Sequence, residues 1–188
     1  MQVSYKSLMD EVSSCNNCKL SQNRTNTVFG EGDIHCDIML VGEGPGANED
    51  KMGRPFVGQA GMLLDKMLLS IGIKRESVYI CNIVKCRPPG NRVPTEDEAF
   101  ACLPYLRGQY ALIKPKIVIC LGATAAKYLI DPNIRITRDR GQFYEKKGTF
   151  FIATYHPAAL LRDQSKKYEA WEDLKLIKEK IKELNIVF

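Results

Sequence analysis

Short apolar runs alternate with amphipathic stretches along most of the chain. CDIMLV at 36–41, SVYICNIV at 77–84, KIVICL at 116–121 and TFFIATY at 149–155 are nearly continuous in apolar residues and rich in β-branched or aromatic types. Strands buried on both faces read this way. Between them lie helical patterns at 59–71 (QAGMLLDKMLLSI), 95–113 and 122–130, with a charged amphipathic one at 166–184. Val3, Leu8 and Val12 give residues 3–13 a helical spacing as well. TEDE at 95–98 is a capping box with Pro94 just before it, so a helix starts there. Strands alternating with helices predict an α/β fold of three layers, α/β/α, around a four-stranded, mainly parallel sheet. No repeat or linker divides residues 1–188, which read as a single domain.

In such a sheet, ligands gather at the carboxyl ends of the strands. GEGPG at 42–46, the segment Asn82–Arg92 and HPAALLR at 156–162 each follow a strand, and all are expected at one crevice. The first opens GEGPGANEDKMGRPFVG, in which glycines and prolines crowd beside three acids, Glu43, Glu49 and Asp50. Something must approach the backbone there closely enough to exclude side chains.

Composition narrows the picture modestly. With 45% hydrophobic and 26% charged residues the chain reads as globular, and no stretch approaches a membrane span. The polar, acid-bearing start MQVSYKSLMDEVSSC is unlike a signal peptide, so an intracellular protein is expected. A net charge of +5 permits a polyanionic partner without requiring one. Seven cysteines in an intracellular chain suggest ligation rather than disulfides. Cys36, Cys81 and Cys120 fall inside strand patterns and read as small buried hydrophobes. Cys15 and Cys18 form a CxxC, Cys86 sits in the loop KCRPPGNR and Cys102 on the capped helix; these four suit zinc or an iron–sulfur cluster. Of the two histidines, His35 reads as a surface residue, whereas His156, at a strand end and locked by Pro157, is placed for chemistry.

GEGPG with its downstream acids, GRPFVG, CNIVKCRPPGNR, the four cysteines and HPAALLR, in that order, resemble the family 4 uracil-DNA glycosylases, iron–sulfur enzymes of bacteria and archaea. The resemblance runs from Cys15 to Arg162. It implies excision of uracil from DNA, single- or double-stranded, by hydrolysis of the N-glycosidic bond after base flipping. It also implies one structural 4Fe-4S cluster on Cys15, Cys18, Cys86 and Cys102. Gly42, Glu43 and Gly44 would line the uracil pocket, Phe56 would stack on the base and Asn82 would read its edge. His156 would donate to uracil O2. Leu160 would fill the space left by the flipped base, with Arg162, Lys85, Arg87 and Arg92 on phosphates.

Family 1 enzymes carry GQDPYH, which places Asp where this chain has Gly44 and Tyr where it has Gly46. Water activation then falls to Glu43 first, with Glu49 and Asp50 behind it, and Glu49 is a candidate for excluding thymine. A superfamily member that bonds covalently to DNA uses a histidine ahead of the last strand. The matching segment NIRITRDRGQFYEKKG has none, which points to a turnover enzyme. The resemblance implies a monomer in a prokaryotic cytoplasm, at the nucleoid. The apolar tail LNIVF at 184–188 offers a dock for a sliding clamp or other repair protein, though packing onto the domain suits it better. The rival reading is a non-enzymatic nucleotide- or DNA-binding adaptor or redox sensor with a zinc or iron–sulfur site, in which Asn82 and HPAALLR have no task.

Overall fold

The computed structural model describes residues 4–188. In chain order the main elements are α1 (Tyr5–Ser13), β1 (Glu31–Gly32), β2 (Ile38–Gly42), α2 (Ala47–Met52), α3 (Gln59–Ser70), β3 (Tyr79–Asn82), α4 (Glu96–Ile113), β4 (Ile117–Leu121), α5 (Ala123–Leu129), α6 (Ile136–Asp139), β5 (Phe143–Lys146), β6 (Thr149–Thr154), α7 (Pro157–Arg162) and α8 (Lys167–Glu183). They form a six-stranded sheet in the order β1-β3-β2-β4-β6-β5. The four central strands are parallel, as their apolar runs predict. Two antiparallel edge strands, β1 and β5, extend the expected four. β1 is two residues long and β5 reads FYEK with both ends half or fully exposed, so neither carries a buried-strand pattern. Lys147 (φ 52°) and Gly148 (φ 81°) make the two-residue turn that folds β5 onto β6.

Strand alternation divides the core. Met39, Val41, Cys81, Val118, Cys120 and Phe151 face α4 and α5 on one side of the sheet. Ile38, Leu40, Ile80, Ile117, Ile119 and Ile152 face α3 and α8 on the other. Both faces of the central strands are thus covered, which is why those strands lack polar alternation. In α1, Leu8 and Val12 are buried as expected; Val3 lies outside the described residues. The capping box of α4 forms, with Thr95 Oγ1 accepting from the Glu98 amide and Glu98 Oε2 accepting from the Thr95 amide at 2.8 Å. In the C-terminal tail Ile186 is buried, while Val187 and Phe188 are exposed. No helix among the described residues is long and apolar enough to cross a membrane.

Candidate active site

A cleft of about 500 Å³ opens at the carboxyl ends of β2, β3, β4 and β6. Each strand delivers one group to it: Glu43 after β2, Asn82 at the end of β3, Thr124 after β4 and His156 after β6. Glycine at 42 has a steric reason. A Cβ there would press on Asn82 Oδ1 and lie 2.7 Å from Phe56 Cζ, so the missing side chain lets ring and amide meet across the strand end.

Phe56 is held in an unusual state. Its φ of 50° is rare for a bulky residue. Arg75 fixes its loop by donating to the carbonyls of Pro55 (2.6 Å) and Phe56 (3.1 Å) while pairing with Glu31 and Asp65. Gly61 has no side chain to collide with the Phe56 carbonyl. Glu49 accepts at Oε1 from the amides of Val57 (2.9 Å) and Gly58 (3.0 Å), closing the loop from the other end. The Phe56 ring then lies nearly parallel to the imidazole of His156, with centroids 5.4 Å apart.

His156 is the N-cap of α7, and its Nδ1 accepts from the Ala158 amide at 3.1 Å. The imidazole proton is thereby left on Nε2, which is a donor. Burial, helped by the positive charge of Arg162 and opposed by Glu49, pulls the His156 pKa down to about 4. The ring is therefore neutral at physiological pH. Gly122, with φ 93°, gives the histidine room: a Cβ there would stand 3.0 Å from His156 Cβ. Asn82 is 1% exposed, and its Oδ1 is the one buried side-chain polar atom without a partner among the described residues. A buried acceptor of this kind carries a desolvation cost that a ligand N–H would relieve. Glu43 Oε2 accepts a short hydrogen bond from Thr124 Oγ1, which fixes the carboxylate at the cleft wall.

The model of the uracil DNA glycosylase superfamily matches residues 29–175. A type-4 uracil-DNA glycosylase of Thermotoga maritima is 50% identical over 83% of this chain and 82% of its own length. Type-4 uracil-DNA glycosylases of Sulfurisphaera tokodaii and Archaeoglobus fulgidus are 48% and 43% identical, each over 94% of this chain and over 84% and 92% of their own lengths. The chain belongs to the type-4 uracil-DNA glycosylases.

Within this glycosylase the expected site residues divide. Gly44, Glu43, Glu49, Phe56, Asn82, His156 and Arg162 line the cleft; Gly42 does not line it but lies beside Asn82 Oδ1 and the Phe56 ring, leaving them room. Asp50 does not: it is buried, and its Oδ1 accepts from the amides of Thr25 and Asn26, which turns the carboxylate away from the cleft. Lys85 is no surface cation. It is 1% exposed and donates from Nζ to the Asn82 carbonyl at 2.9 Å and to Gln109 Oε1 at 2.6 Å. Leu160 is 2% exposed, buried against the α3–α8 face, because 156–162 forms a short helix rather than a loop. The exposed leucine of that helix is Leu161. Arg87 is half-buried outside the cleft and bonds Asn91 Oδ1 at 2.8 Å, while Arg92 lines the cleft and pairs with Glu98. Thr124 and Arg75 were not foreseen. Thr124 had a signal, since β4 ends at the same edge as the other three strands; Arg75 had none, as its partners lie 10 to 44 residues away.

Cys15, Cys18, Cys86 and Cys102 line one small cavity between α1, α4 and the 82–92 segment. Arg24 donates from Nη1 to Cys86 Sγ at 3.3 Å and to the Cys15 carbonyl at 2.7 Å, and the Lys85 amide donates to Cys102 Sγ at 3.3 Å. Burial raises the Cys86 thiol and pushes Cys102 up to about 11. Among the described residues no three His, Cys, Asp or Glu groups converge tightly enough to hold a single metal ion.

Proposed function

We propose that this protein excises uracil from DNA by hydrolysing its N-glycosidic bond, leaving an abasic site for base excision repair. The observation that carries the reading beyond family membership is the unpartnered, buried Oδ1 of Asn82, set beside Phe56 at the cleft floor. Uracil N3–H supplies the missing donor, and the Asn82 amide N–H in turn donates to O4. Cytosine presents an acceptor and a donor in the opposite order, so both contacts fail together and leave buried groups unpaired. The flipped base stacks on Phe56, whose loop is fixed before the substrate arrives.

As the bond breaks, negative charge grows on uracil and positive character on the deoxyribose. His156 offers Nε2–H to O2 as a fixed neutral donor, because Nδ1 is already engaged by the Ala158 amide. Glu43, held by Thr124, orients the attacking water and stabilises the sugar cation. Glu49 has one oxygen committed to two backbone amides; its Oε2 lies toward Gly46, where it serves to exclude the thymine methyl. Arg162 meets phosphate, and Leu161, rather than Leu160, is the apolar tip available to fill the vacated stack.

The four clustered cysteines fit a 4Fe-4S cluster. They surround one cavity and receive N–H donors from Arg24 and the Lys85 amide, as thiolates that bind a cluster do. The group would act as a cross-link between the N-terminal segment, the 86 loop and α4.

The test is base release from a single-stranded oligonucleotide carrying one uracil, with cytosine and thymine controls and alkaline cleavage of abasic sites. Release from the uracil strand alone is expected. A cluster-loaded protein that releases no base would sink the enzyme reading in favour of a DNA-binding adaptor.

A further inference from the structure

We infer that Lys85, supported by Gln109, is a positioning residue for uracil recognition, acting through the main chain of Asn82. This rests on the proposed role of Asn82. β3 pairs with β1 only at Tyr79 and Ile80, so the strand has outrun its edge partner by the time it reaches Asn82. There the Asn82 carbonyl takes its hydrogen bond from Lys85 Nζ at 2.9 Å. Lys85 is 1% exposed and its second partner, Gln109, is wholly buried. The Gln109 amide donates onward to the Phe29 carbonyl at 2.8 Å and to Tyr79 Oη at 2.9 Å, and Tyr79 Oη meets Tyr5 Oη at 3.1 Å. The oxygens that accept from the Lys85 ammonium are both neutral, and the buried Cys81 thiol lies beside it as well.

A buried ammonium between neutral acceptors is an expensive way to fill space, and methionine of similar length would pack there more cheaply. What the ammonium does that methionine cannot is grip a strand-end carbonyl in one orientation with a charge-assisted bond. The Asn82 side chain springs from that same residue, and its Oδ1 has no protein partner to hold it. Its aim therefore depends on the backbone. The Lys85 amide, bonded to Cys102 Sγ at 3.3 Å, anchors the gripping residue at its own end.

The variants are Lys85→Met and Gln109→Met, each alone and in an Asn82→Ala background. They are assayed by single-turnover uracil release well below the melting temperature, with the KM for DNA measured alongside. Lys85→Met is expected to slow release about tenfold, the scale of one hydrogen bond to a charged group. KM should stay within about twofold, because the phosphate contacts are untouched. In Asn82→Ala protein the same change should cost nothing further, since residues acting as one unit are not additive. Gln109→Met should show a smaller loss of the same pattern and carries the test alone should Lys85→Met fail to fold. Wild-type release rates in both variants would overturn the inference, as would an undiminished tenfold loss in the Asn82→Ala background. Wild-type protein that releases no uracil would instead overturn the proposed function, and this role with it.

Discussion

Gly42 and His156 show how closely single positions are fitted at the cleft. A methyl group at 42 has only Asn82 Oδ1 and the Phe56 ring to push against, and neither can retreat without leaving the geometry that reads uracil. Gly42→Ala is expected to lower uracil release by about 10²-fold, the cost of displacements near 1 Å in a reacting site. Thermal unfolding should move little by comparison; near-normal kinetics would show that the ring and amide relax freely. For His156 the prediction is one of pH. Its folded pKa lies at about 4, below the ordinary 6.5. Between those values the unfolded chain takes up a proton that the folded one refuses, so stability falls as pH drops through that window and is fully present above it. The stability difference between wild type and His156→Gln should therefore shift against the wild type from about pH 7.5 to about pH 5. A difference that stays constant would reject the buried neutral imidazole.

Elements set which of two adjacent leucines does what. The resemblance gave Leu160 of HPAALLR the place vacated by the flipped base, but Pro157 at the first helical position and the imidazole cap of His156 start a short helix there. Helical rotation then turns Leu160 inward and Leu161 outward. Leu160→Ala should cost about 2–5 kcal/mol of stability as a cavity opens under α7. Leu161→Ala should change stability by less than about 0.5 kcal/mol, yet slow uracil release from duplex more than from single strands. If Leu161→Ala treats both substrates alike, the wedge lies elsewhere. The same contrast explains what was legible beforehand. The central strands were plain because burial on both faces writes an unbroken apolar run, and the α4 start was plain because a capping box is local chemistry. The edge strands, the inward turn of Leu160 and the burial of Lys85 were not, since each depends on a neighbour distant in sequence. Lys85 in KCRPPGNR looks like any loop cation until α4 brings Gln109 over it. Asp50 likewise reads as a free acid until residues 25–26 fold against it.

At the scale of the whole molecule the four-cysteine cavity lies where the N-terminal segment, the 82–92 segment and α4 meet. The sheet and its helices bury two large clusters, one on each face. The N-terminal helix has a small one of its own, Leu8, Val12 and Phe29, with Tyr5, Tyr105 and Leu112 at its margin. Residues 15–24 then reach the body mainly through the cavity, where Leu20 packs and Arg24 bridges Cys86 to Cys15. Apart from buried Leu20 the segment is polar and holds only one short turn of helix, Lys19–Gln22, so without the cysteine ties it is expected to open before the rest of the fold. If the four cysteines hold the proposed 4Fe-4S cluster as a structural tie, Cys86→Ser should lose visible cluster absorption and expose Lys19 and Arg24 to trypsin, while the remaining core resists digestion. Cys120→Ala, which removes a thiol buried in β4 that does not line that cavity, should keep the absorption and the resistance. Uracil release by the Cys86→Ser protein should fall as well, since Lys85 is bonded to Cys102 on one side and to the Asn82 carbonyl on the other. A Cys86→Ser protein as resistant to trypsin as the wild type would mean that packing alone secures the N-terminal segment, and the four thiols would then need a role other than holding the chain together.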